Sequence, residues 1–170
     1  QEQKQALFVG WDNGTHSTAM RKPHEGFPNW YDFKWHINHF AINRSYPVFT
    51  GYSLDDNPGN GDVNVGDTTR FINRGLDWKV ISDTSSFYKI FLTIKLSKVT
   101  YPIFVNITPR HYQKFQNINN GIVYAYNINA DGKIIGKRKL KVRKGLITYN
   151  KFAITSSGGN TLLIQRNKKE

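Results

Sequence analysis

Tyr88-Lys89-Ile90-Phe91-Leu92-Thr93-Ile94-Lys95-Leu96 puts Tyr88, Ile90, Leu92, Ile94 and Leu96 on one side of an extended chain and Lys89, Phe91, Thr93 and Lys95 on the other. A period of two residues belongs to a β-strand with one face in a core, because successive side chains on a strand point to opposite faces. The same alternation returns over Tyr101 to Ile107 and Ile122 to Ile128. Asn129-Ala130-Asp131-Gly132 then supplies a turn whose Asp-Gly tolerates positive φ, so the strands on either side are expected to form a hairpin. Further strands are expected at Leu140 to Val142, Leu146 to Ile154 and Thr161 to Arg166, the last introduced by Ser156-Ser157-Gly158-Gly159. Nearer the start, Trp30 to Phe40 places Tyr31, Phe33, Trp35 and Ile37 on one face, with Trp30, Asp32, Lys34, His36 and Asn38 on the other.

Only short turns around Arg110 to Phe115 and Thr68 to Asn73 have any helical character, and no internal repeat is present. The expected fold is therefore all-β, an antiparallel β-sandwich of jelly-roll or immunoglobulin-like type, with an N-terminal extension that packs on it. A length of 170 residues suits one module spanning 1–170. Asp83-Thr84-Ser85-Ser86-Phe87 precedes a change in charge and marks either a subdomain boundary near 83–87 or a single loop. No run of about 18 apolar residues exists that would cross a membrane as a helix. There is no cysteine, which excludes disulfides, thiolate metal sites and cysteine nucleophiles together. A secreted or cell-surface location is expected, with Gln1 as the residue left after removal of a leader.

Charge is divided along the chain. Residues 88–170 hold sixteen Lys/Arg against Asp131 and Glu170, a net of +14, whereas residues 1–87 hold eight against ten acidic residues, a net of −2. The positive field belongs to the second half and favours an anionic partner such as an acidic polysaccharide or nucleic acid.

Four groups of residues bear on chemistry. Asp55, Asp56, Asp62, Asn64 and Asp67 recur among glycines between 55 and 67. They offer the hard oxygen donors and tight turns that calcium needs, although the spacing is not that of an EF-hand and a long surface loop has the same composition. Lys137-Arg138-Lys139-Leu140-Lys141-Val142-Arg143-Lys144 places Lys137, Lys139, Lys141 and Arg143 on one strand face. That is a cation ladder for a polyanion or, equally, a solvated edge strand protected from aggregation by its lysines. Trp11, Trp30, Tyr31, Trp35 and Trp78 lie in the first half; most such rings belong to cores, with Trp11 and Trp30 the candidates to stack on a sugar beside Lys34 and His36. His36 and His39 are three apart and fall on opposite faces of a strand, and His16, His24 and His111 are isolated, so a histidine metal centre or a catalytic triad has little support.

Ser53-Leu54-Asp55-Asp56-Asn57-Pro58-Gly59-Asn60-Gly61-Asp62, Asn106-Ile107-Thr108-Pro109-Arg110 with Gln113-Lys114-Phe115, Ala130-Asp131-Gly132-Lys133-Ile134-Ile135, Gly145-Leu146-Ile147-Thr148 and Gly159-Asn160-Thr161-Leu162-Leu163-Ile164 together resemble the C-terminal β-rich region of large exported bacterial hydrolases. The resemblance runs over residues 50–166 and implies an accessory β-sandwich, like a carbohydrate-binding module, attached to the catalytic domain of a larger enzyme. Thr161 and the lysines of 137–144 depart from that pattern. The expected function is non-catalytic binding of a sulfated or uronate-containing polysaccharide, with calcium as a structural clamp. A small polysaccharide lyase or hydrolase and a single-stranded nucleic-acid binder are the competing classes.

Overall fold

The computed structural model describes residues 43–54, 73, 75–116 and 121–167. Among them are eight strands and no helix: β1 (Tyr46–Thr50), β2 (Leu76–Asp83), β3 (Phe87–Ile94), β4 (Ile103–Arg110), β5 (Gly121–Ile128), β6 (Ile134–Val142), β7 (Tyr149–Ile154) and β8 (Asn160–Gln165). They form two antiparallel sheets, one in the order β1-β4-β7 and the other β2-β3-β8-β5-β6. β3 pairs with β8, β4 with β7 and β5 with β6. These nested pairings are those of a long hairpin rolled on itself, the wrapping of a jelly roll, with β1 and β2 added at the outer edges.

Alternation fixes which side chains enter the sandwich. In β3, Tyr88, Ile90, Leu92 and Ile94 are buried while the residues between them are half-buried. They meet Ile103, Val105 and Ile107 of β4, Phe152 and Ile154 of β7, and Leu162 and Ile164 of β8 in one core. Burying a side chain of this size contributes about 1.5–3 kcal/mol. Tyr126 and Leu163 are also buried, but they lie on the opposite face of the five-stranded sheet, where they are cross-strand partners.

Polar groups tie the layers together around β7. Asn127 of β5 donates from Nδ2 to the Ala153 carbonyl of β7 at 2.8 Å. Its Oδ1 accepts from Asn160 Nδ2 at 2.9 Å. Asn160 Oδ1 in turn accepts from the Thr155 amide and hydroxyl. Both Asn side chains are thus buried with partners, as interior amides must be. Asn106 of β4 accepts the Lys151 amide at 2.8 Å where β7 bulges, and Lys151 there takes a φ of 51°.

The Asp-Gly turn forms as expected, with Gly132 at φ 78° and the Asn129 carbonyl accepting the Gly132 amide at 3.0 Å. Several boundaries differ. Leu140 to Val142 is the end of a nine-residue strand, because the hairpin continues pairing β5 from Ile134 onward. The segment from Leu146 divides: Leu146 closes a tight turn with Arg143, and the strand itself starts at Tyr149. Residues 111–116 bend without forming a helical turn, because three of their amides bind a carboxylate instead of preceding carbonyls. Residues 83–87 are the hairpin turn between β2 and β3 of one sheet, closed by the Thr84 amide on the Phe87 carbonyl at 2.9 Å. Among the described residues no helix is long and apolar enough to cross a membrane.

Candidate cation-ladder site

β6 is an edge strand of the five-stranded sheet, and Lys137, Lys139 and Lys141 are all exposed on it. Their cross-strand partners on β5 are Tyr126, Tyr124 and Ile122 in that order, so the three ammonium groups share one sheet face with two aromatic rings. Successive lysines on a strand stand about 6.6 Å apart at roughly 3.3 Å rise per residue. Val142 turns into the core, and Arg143, the next residue, is exposed where the tight turn begins.

Arg138 takes a different part. It lies on the alternate face of β6, and its Nη1 donates to the Asn150 carbonyl of β7 at 2.7 Å while its guanidinium covers the Tyr149 ring at 4.7 Å from the centroid. Burial pushes the Tyr149 hydroxyl up from its ordinary value, against the opposing pull of Arg138. The basic run therefore separates into a cation that seals the β6–β7 seam and cations that face solvent.

Each carboxylate among the described residues is engaged away from the ladder. Asp77 pairs with Lys95 at 2.6 Å. Asp83 Oδ1 accepts the amides of Lys114 and Phe115 at 3.1 and 2.8 Å, and Oδ2 accepts that of Gln113 at 2.7 Å. Asp131 accepts from Asn129 Nδ2 at 3.1 Å within its own turn. Among the described residues, no ion pair holds Lys137, Lys139, Lys141 or Arg143. An edge row of four cations with no ion pair among the described residues can take a linear polyanion by charge alone, and the half-buried Tyr124 ring beside it adds a surface for stacking, whereas Tyr126 is buried.

Trp78 is the tryptophan among the described residues, and it was not among the stacking candidates. It is half-buried on β2, where it packs against the core and lines a cleft of about 370 Å³ with Arg44, Ser45, Lys79, Asp83 and Gln113. Beside this cleft the Tyr88 hydroxyl is buried without an aligned hydrogen bond, although Ser45 stands next to it. No strand was expected over Leu76–Asp83, so the place of Trp78 on β2 was not legible, and neither was the cleft, which residues from three separate segments build.

Trp11, Trp30, Lys34 and His36 lie outside the described residues, as do the calcium candidates Asp55, Asp56, Asp62, Asn64 and Asp67. Among the described residues, no group of three or more His, Asp or Glu stands ready to hold a metal ion. His111 stacks on Tyr46 at 5.3 Å between ring centroids. Comparison with protein-family models, curated proteins and solved structures gives no match.

Proposed function

We propose that this chain is a non-catalytic binding module for an acidic polysaccharide, sulfated or uronate-bearing, and that it serves as an accessory to an exported polysaccharide-degrading enzyme. The observation that carries the reading is the row Lys137, Lys139, Lys141 and Arg143: exposed cations at strand spacing, with the described carboxylates all engaged elsewhere. The lysines and the arginine contact sulfate or carboxylate groups. Tyr124 beside them, and Trp11 and Trp30 with Lys34 and His36, supply rings and hydrogen bonds for the sugar. Calcium bound by Asp55, Asp56, Asp62, Asn64 and Asp67 clamps that segment of the chain. The polarity of the partner follows from the charge of residues 88–170, and the secreted or cell-surface setting follows from the resemblance to exported hydrolases.

Affinity electrophoresis through dextran sulfate, polygalacturonate and neutral dextran, with single-stranded DNA in a parallel gel and unsaturated-end release followed by absorbance, tests the reading. Retardation by the two charged glycans, with none by neutral dextran and no product release, is the expected result. Equal retardation by neutral dextran removes the charge argument. Preferential retention of DNA makes the chain a nucleic-acid binder, and sustained product release that Tyr31→Phe, Lys34→Gln or His36→Ala abolishes makes it a lyase.

A further inference from the structure

Beyond the strand, the basic run ends in a turn whose backbone is unfavourable for the residue it carries. Arg143 and Leu146 exchange both amide-to-carbonyl hydrogen bonds, at 3.0 and 2.9 Å, so Lys144 and Gly145 are the two central residues of a tight hairpin connection. Their φ values are 50° and 74°. Such primed turns need positive φ at both positions and are best served by Asn-Gly, Asp-Gly or Gly-Gly. Gly145 meets that need. Lys144 does not, since a side chain with a Cβ crowds the following carbonyl in this region and lacks the short polar group with which Asn relieves it.

The exposed Lys144 makes no ion pair or side-chain hydrogen bond among the described residues that would account for its choice. It does stand at the end of the line formed by Lys137, Lys139, Lys141 and Arg143. Backbone conformations held against local preference concentrate where a residue binds something.

We infer that Lys144 is a ligand-binding residue, the terminal anchor of the β6 cation line, and that the site takes an extended polyanion rather than a single charged sugar. The inference rests on the proposed binding of acidic glycans. From Lys137 to Arg143 the line runs for about 20 Å at roughly 3.3 Å per residue, and Lys144 lies beyond that end. A sulfated or uronate-bearing chain of matching length engages every cation at once, whereas a disaccharide reaches two at most.

Lys144→Asn gives opposite signs for stability and binding. Relief of the turn raises the melting temperature by about 1–4 °C. Loss of one exposed charge contact lowers affinity for dextran sulfate and polygalacturonate about two- to fivefold. Lys144→Gly behaves in the same way, and Lys144→Arg, which keeps the charge, retains wild-type affinity. In the wild type, a decagalacturonate binds far more tightly than a digalacturonate. Unchanged affinity in folded Lys144→Asn and Lys144→Gly, while Lys139→Gln/Lys141→Gln/Arg143→Gln binds weakly, overturns the role of Lys144 and leaves the proposed function standing. Equal affinity for the two oligomers overturns the extended site. Absence of polyanion binding by the wild type removes the proposed function, and this inference with it.

Discussion

Asn160 Nδ2 and Asn127 Oδ1 meet at 2.9 Å inside the sandwich, joining the two strands β8 and β5 whose backbones already pair. Asn127 also reaches the Ala153 carbonyl in the opposite sheet, so this amide pair fixes both the register within one layer and the approach of the other. Asn127→Ala strands a buried amide and a carbonyl, at a cost of about 2–4 kcal/mol in urea unfolding. Asn160→Ala costs a similar amount. The double variant is expected to fall short of the sum by about 1 kcal/mol or more. Strict additivity would mean that the two amides act independently.

Lys139→Gln/Lys141→Gln/Arg143→Gln is expected to weaken binding to dextran sulfate while leaving the melting temperature near that of the wild type. The three side chains are exposed and carry no ion pair among the described residues, so folding loses little when they are neutralised. Wild-type affinity itself should fall steeply as salt rises, since screening acts beyond about 8–10 Å at physiological ionic strength. Isothermal titration across a salt series reads both effects. A triple variant with full affinity would reduce the row to a solvated edge.

Asp83 holds the loop after β4 through three backbone amides, and Phe115 at the end of that loop is fully buried. Asp83→Ala removes all three acceptor contacts and is expected to cost about 2–4 kcal/mol. Amide exchange should quicken at Gln113, Lys114 and Phe115 in particular. Protection unchanged at those amides would show that burial of Phe115 alone holds the loop.

The Tyr88 hydroxyl is pushed up from its ordinary value near 10, chiefly by burial, with Ser45 opposing and Asp83 adding to the shift. Tyr112, packed edge-on against Tyr88 at 5.1 Å, is raised by burial as well. A raised folded value means that stability from these groups is fully present below about pH 10 and is lost as pH rises further, because the unfolded chain releases the proton first. Tyr88→Phe removes one such group together with a buried hydroxyl that makes no aligned hydrogen bond. It should leave stability at neutral pH equal or raise it by about 1 kcal/mol, and should flatten the fall in melting temperature above about pH 10. A steeper alkaline fall in the variant contradicts the assignment.

Calcium should raise the melting temperature through the Asp55 to Asp67 segment, by mass action on the native state. At a hundredfold excess over its dissociation constant the gain is about 2.7 kcal/mol. Calorimetric scans with calcium and with chelator decide it, and coincident transitions in the two would remove the clamp.

Much of the architecture was legible because side-chain alternation is a local property. Tyr88 to Ile94 showed its buried face directly, Asp131-Gly132 announced the β5–β6 hairpin, and the odd-numbered lysines of β6 fell on a common exposed face. Period two reports which way a side chain points and nothing about which strand lies beside it. The neighbours of β3, β4 and β5 were therefore decided only when the chain rolled up, by pairings such as Tyr88 with Ile164 and Val105 with Phe152. Alternation put Arg138 on the other face from the lysines beside it, but for the same reason its capture by the Asn150 carbonyl of β7 was not legible in the sequence. Nor could it show that Asp83 is held by amides thirty residues further on. Those roles depend on contacts between segments distant in the chain, where the hydrophobic core sets the positions and local preference has no say.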